Sequence, residues 1–143
     1  MKKLLPILLS IIPLQAVSST ECESNPLILQ VNQITELKGQ LFVALHTSET
    51  SYLKDDEEPF RATTVVVMNK GSQQLSLCDV PAGDYVISIY HDENDNNELD
   101  TGFFGIPKEP YGFSNNLDRM RPPSFEEATF HFDTNSLVEI NLR

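Results

Sequence analysis

Hydrophobic and polar residues alternate with a period of two along most of this chain, the signature of half-buried β-strands. "LILQVNQI" (27–34) puts Leu27, Leu29 and Val31 on one face, and "QLFVALHT" (40–47) follows after a Lys38-Gly39 turn. "TTVVVMN" (63–69) is β-branched, while "QLSLCDV" (74–80) and "DYVISIYH" (84–91) alternate again. "EATFHF" (127–132) and "SLVEINL" (136–142) close the chain. Seven such segments, separated by turn signals such as Asn69-Lys70-Gly71 and Pro81-Ala82-Gly83, predict a single all-β domain, a seven-stranded antiparallel sandwich. Buried positions are expected at Leu29, Val31, Leu41, Val43, Val65, Val67, Leu75, Leu77, Val86, Ile140 and Leu142; the choice of inward face is a parity argument. No sustained helical period is present, although residues 48–60 have room for one helical turn.

The pattern breaks in two places. Residues 1–18 run from Lys2 and Lys3 through an apolar stretch broken by Pro6 and Pro13 to small residues at Ala16 and Ser18. That order is a secretory signal peptide, too short and proline-broken for a comfortable membrane span. Glu21 directly before Cys22 disfavours lipid attachment there. The expected mature chain, 19–143, is periplasmic or secreted, with no membrane span. Its formal charge is more negative than the −11 of the whole sequence, because two lysines leave with the signal. Such a surface repels phosphate backbones, so nucleic acid is excluded as a partner class. The two cysteines, Cys22 and Cys78, allow one intramolecular disulfide; free or intermolecular thiols are the alternative.

The second break is longer. From 92 to 124 there is neither strand nor helix period, and loops beyond about 15 residues are usually functional or disordered. Phe103, Phe104, Ile106, Tyr111 and Phe113 make this one too apolar for disorder. It is expected to be ordered. It opens "DENDNNELD", with Asp92, Asn94 and Asn96 at the 1-3-5 spacing of calcium loops. Asn97 falls at the sharp turn of position 6, Glu98 offers a carbonyl at position 7, and Asp100 stands at position 9. Oxygen ligands alone suit Ca2+ rather than zinc or copper. Position 12, where an EF-hand places a glutamate, holds Phe103, so a further ligand must come from elsewhere, for example Glu109 or Asp118. An ion-free polar turn is the alternative. A bound ion would fix the start of the loop and let Phe103 and Phe104 pack beneath it.

Other chemistry is thinly supported. His46, His91 and His131 lie in three different predicted strands without ligand spacing. Ser114 follows Gly112, but residue 116 is Asn, so the nucleophile-elbow pattern fails. With 21 acidic residues, a carboxylate pair for glycosidase chemistry is always available on paper.

"HDENDNNELDTGFFGIPKEPYGFSNN" followed by "RPPSFEEATF" resembles the bacterial exported family catalogued as domain of unknown function 2141. The likeness runs from Leu27 through "GQLFVAL" and "VPAGDYVISIYHDEN" to "VEINL". The family typically has glycine where this chain has Asn97, and often glycine where Arg121 stands. The resemblance implies a secreted, transthyretin-like (Greek-key) β-sandwich and no established activity. The function expected is therefore a cell-envelope binding or accessory module. Phe103, Phe104, Tyr111, Phe113, Asn115 and Asn116 would form its recognition surface for an envelope glycan, peptide or protein; the equal alternative is that the aromatics only fold back as a satellite core. A hydrolase acting through the 92–124 loop and a purely structural envelope protein are the alternatives.

Overall fold

The structure, a computed structural model, describes residues 22, 25–53, 57–118 and 121–143. The expected signal peptide, 1–18, lies outside the described residues. Eight strands are present among those described: β1 (Leu27–Ile34), β2 (Gln40–His46), β3 (Arg61–Val66), β4 (Gly71–Leu77), β5 (Gly83–Asp92), β6 (Tyr111–Phe113), β7 (Phe130–Phe132) and β8 (Leu137–Asn141). Two short helices accompany them, α1 (Glu49–Leu53) and α2 (Phe125–Ala128). The strands form two sheets, ordered β4-β1-β8 and β3-β2-β5-β6, with β7 also paired to β5.

Alternation explains the packing. Leu27, Leu29 and Val31 of β1, with Leu75, Leu77 and Ile140 from its neighbours, face Leu41, Val43, Leu45, Ile87 and Ile89 of the larger sheet in one buried core. Fully burying each such side chain contributes about 1.5–3 kcal/mol. Of the positions expected to be buried, all are so except Val65, which is half-buried. Val86 is buried for another reason than the one that singled it out. It lies on the outer face of β5, under Tyr52 and Ala128, while Ile87 and Ile89 point inward.

Three departures from the expected architecture have physical causes. The eighth strand is β6, inside the long loop; three residues are too few to show an alternation. The segment 127–132 begins as helix rather than strand. Ser124 accepts from the Glu127 backbone N–H while the Glu127 carboxylate accepts from the Ser124 N–H, a capping box that starts α2. Finally, the sandwich is not wholly antiparallel: β8 pairs with β1 in parallel, Leu29 beside Val138 and Val31 beside Ile140, whereas every other strand pair is antiparallel.

The end of β8 carries the chain from one sheet to the other. Arg143 and Tyr111 exchange backbone hydrogen bonds of 3.0 and 3.2 Å, while the Leu142 N–H reaches the Asn32 carbonyl. This crossing requires Gly112 in β6, where an added Cβ would stand 2.6 Å from Ile140 Cγ2. Cys22 and Cys78 are disulfide-bonded, tying the chain before β1 to the end of β4, its partner strand.

Candidate metal-binding loop and aromatic groove

β5 delivers Asp92 at its last position, directly opposite Gln40 of β2. The Asp92 side chain is fully buried. Its Oδ2 accepts from Gln40 Nε2 at 3.1 Å and the Asn97 N–H at 2.9 Å, and its Oδ1 from the Asn96 N–H at 3.1 Å. The chain folds around the carboxylate because Asp95 and Asn97 adopt left-handed backbone conformations (φ 58° and 63°), which Asn and Asp tolerate best outside glycine. Asn94 and Asn96 each accept a backbone N–H two residues on, from Asn96 at 3.2 Å and Glu98 at 2.9 Å. Their Nδ2 groups donate to the Asp100 carboxylate, at 2.6 Å from Asn94 and 3.0 Å from Asn96.

The structure therefore gathers the side chains of Asp92, Asn94, Asn96 and Asp100 into one hydrogen-bonded nest. Glu98 enters it through its backbone. Of the two residues considered for a further ligand, Glu109 reaches the nest and Asp118 does not. Glu109 is 7 % exposed, and its carboxylate accepts the N–H of Glu93 at 2.9 Å and of Asp100 at 3.0 Å, pinning both ends of the loop. Asp118 is exposed, 3.9 Å from Arg143, beside a separate cavity of about 310 Å3 at the β6–β8 crossing. Gly39 supplies the floor. With φ at 65°, it lies so close to Asp92 that a Cβ would stand 2.0 Å from the Asp92 carbonyl oxygen.

Burial pushes the Asp92 carboxyl pKa up, but the Gln40 amide and the backbone donors of Asn97, Asn96 and Asp95 outweigh it and hold the pKa below the ordinary carboxylate range. A carboxyl depressed in the folded state stabilises the fold above its unfolded pKa of about 3.9, and that contribution is lost as pH falls through the folded value. The stability difference between wild type and Asp92→Asn without added metal should accordingly be full at neutral pH. It should shrink below about pH 4. Urea melts of both proteins across that window check it.

Beyond Asp100 the loop forms a small hairpin. The Lys108 N–H bonds to the Asp100 carbonyl at 2.8 Å, Thr101 bridges Pro107, and the Gly102 N–H bonds to the Ile106 carbonyl at 2.7 Å. Its tip is Phe103–Gly105. Phe103 and Phe104 do not pack beneath the loop as expected; they are 91 % and 100 % exposed. Gly102 extends the backbone and Phe104 and Gly105 turn it left-handed (φ 62° and 70°), so both rings point away from the body.

Tyr111 and Phe113, on β6, lie against the outer face of the larger sheet. Phe113 packs edge-on to Tyr52 and Tyr111, and Arg143 stacks over the Tyr111 ring at 5.2 Å. With Phe42 and Tyr90, whose rings stack at 5.1 Å, they line a groove of about 340 Å3 whose other wall is Leu99, Thr101 and Pro107 of the loop. Asn115 and Asn116 are exposed, but their side chains hold the fold together. Asn115 Nδ2 donates to the Glu127 and Thr129 carbonyls, and Asn116 clips the Glu139 carbonyl and the Asn141 N–H.

The remaining chemistry-bearing residues stand apart. Among the described residues no group of three or more His, Cys, Asp or Glu side chains is placed to hold a metal. His91 Nε2 donates to the Lys38 carbonyl, and His131 pairs with Asp84 at 2.7 Å. His46 Nε2 is 2.9 Å from the Oγ of Ser88, which lines the groove. Ser114 is buried, donating to the Ala128 carbonyl and accepting from the Ile87 N–H. Local sequence patterns missed Gln40 and Gly39 because they meet Asp92 only through the β2–β5 pairing.

A β-sandwich carrying an Asp/Asn loop at one strand end and an aromatic groove beside it defines the class. Residues 29–140 match the family described as an uncharacterized protein conserved in bacteria (DUF2141), and the chain belongs to that family. No match was found among curated proteins or among solved structures.

Proposed function

We propose that this chain is an exported, calcium-binding β-sandwich of transthyretin-like type that serves as a binding module of the cell envelope. The observation that carries this reading is that one segment, 92–108, both contains the oxygen nest and walls the aromatic groove. Asp92, Asn94, Asn96 and Asp100 supply hard oxygen donors, which fit Ca2+. In the structure the two asparagine NH2 groups donate hydrogen bonds to the Asp100 carboxylate. A cation held by these four side chains and the Glu98 carbonyl would take over that role, with the amides turned to present oxygen. The groove would then have a fixed wall.

Rings at the groove surface suit the apolar face of a sugar or an aliphatic peptide side chain. The envelope location is supported by the Cys22–Cys78 disulfide, which persists in oxidising compartments. No helix among the described residues is long and apolar enough to cross a membrane.

The test is a screen of immobilised envelope glycans and short peptides with wild type and Tyr90→Ala, in calcium and in chelator. Wild type should retain a glycan or peptide in calcium, with retention weakened by chelator and lost in Tyr90→Ala. No retention of either class, or retention indifferent to Tyr90, would contradict it.

A further inference from the structure

We propose that the hairpin tip Phe103–Phe104–Gly105–Ile106 is a lipid-surface anchor that enters the apolar boundary of a zwitterionic phospholipid bilayer. Phe103 and Phe104 are almost wholly exposed and Ile106 is 63 % exposed, so three apolar side chains within four residues form a convex tip that none of the described residues covers. Phe104 adopts a left-handed conformation (φ 62°) that is unfavourable for a bulky side chain. Among the described residues no packing offsets that strain, since the ring is fully exposed; strain of this kind points to function.

The hairpin also suits an apolar medium. Such a medium demands that backbone polar groups be paired internally, and the hydrogen bonds Gly102 N–H to Ile106 carbonyl and Lys108 N–H to Asp100 carbonyl provide this up to the turn itself. The Lys108 stem lies against Gly102, where a Cβ would meet its Cε at 3.3 Å. With the stem held there, its ammonium would be the group to snorkel to headgroup phosphates once the tip is inserted.

Charge selects among partners. The chain carries −11, and the acidic run Asp92–Asp100 stands at the foot of the hairpin, so an anionic surface is disfavoured relative to a zwitterionic one. A second copy seated tip-into-groove would bring two acidic loops towards each other across a self-complementary interface. The bilayer carries no such penalty. This anchor goes beyond calcium binding and does not depend on it.

The sequence contains no tryptophan, so Phe104→Trp gives a single-site reporter. Adding phosphatidylcholine vesicles to this variant in chelator should shift its emission to the blue and shield it from an aqueous quencher. Vesicles rich in phosphatidylglycerol should give a smaller effect. Co-sedimentation with phosphatidylcholine should fall about tenfold in Phe103→Ser/Phe104→Ser, with its melting temperature unchanged because both rings are exposed. The proposal is overturned by emission that ignores every vesicle, or by equal co-sedimentation of wild type and double variant. A blue shift without lipid that grows with protein concentration would overturn it in favour of self-association.

Discussion

Replacing Cys22 and Cys78 by serine is expected to lower the unfolding free energy by about 4 kcal/mol, the largest loss among the changes considered. The bridge spans 56 residues, and in the chain-entropy model closing a loop of that length removes much of the freedom of the unfolded chain. Little of the loss should arise in the native state. Leu27 of β1 is already paired with Leu77 of β4 beside the bridge, and the Arg61 guanidinium donates to the Cys78 and Asp79 carbonyls. For a domain of this size the melting temperature should drop on the order of 15 °C. A drop of only about 2 °C, too small for 4 kcal/mol on that scale, would mean that the bridge adds little to the fold.

Calcium is expected to act in the opposite direction. A ligand that binds only the folded state adds RT ln(1 + [L]/Kd), about 2.7 kcal/mol when calcium exceeds Kd a hundredfold, or on the order of 10 °C here. Asp92→Ala should abolish most of that rise. It removes a carboxylate donor and the acceptor that three loop and sheet donors share. Magnesium should substitute poorly, because a loop of flexible oxygen donors does not enforce its small octahedron. Proteolysis between Asp100 and Ser124 should slow in calcium for wild type and not for the variant. Equal melting and cleavage with calcium and with chelator would leave the nest as a polar turn, already satisfied by its own hydrogen bonds.

The parts of this molecule that the sequence makes legible are those whose cause is local. β1 runs over the residues that alternation marks, and β2 ends one residue short of its predicted span, because one buried face imposes period two. The β3 and β4 segments are shifted towards the N-terminus; in β3 the unbroken β-branched run Val65 to Val67 carries no phase to place its end. The spacing of Asp92, Asn94, Asn96 and Asp100 brought together side chains that do meet.

What was not legible depends on distant partners. The parallel pairing of β8 with β1 is decided by the whole sandwich, and Gln40 finds Asp92 only across two strands. Phe103 and Phe104 look like core residues by hydropathy, yet a hairpin closed between Asp100 and Lys108 turns them outward. Asn115 and Asn116 read as contact residues, and their amides instead clip α2 and β8 to the loop. The capping box at Ser124 was the exception: a local signal that β-patterning over 127–132 overrode.

The most direct measurement is calcium titration of chelator-stripped protein by isothermal calorimetry, with Asp92→Ala and Asp100→Ala measured beside wild type. One saturable site on wild type, absent or strongly weakened in both variants and not reproduced by magnesium, is the predicted result. Folded wild-type protein that gives no binding heat at millimolar calcium and no calcium-dependent rise in melting temperature would contradict it.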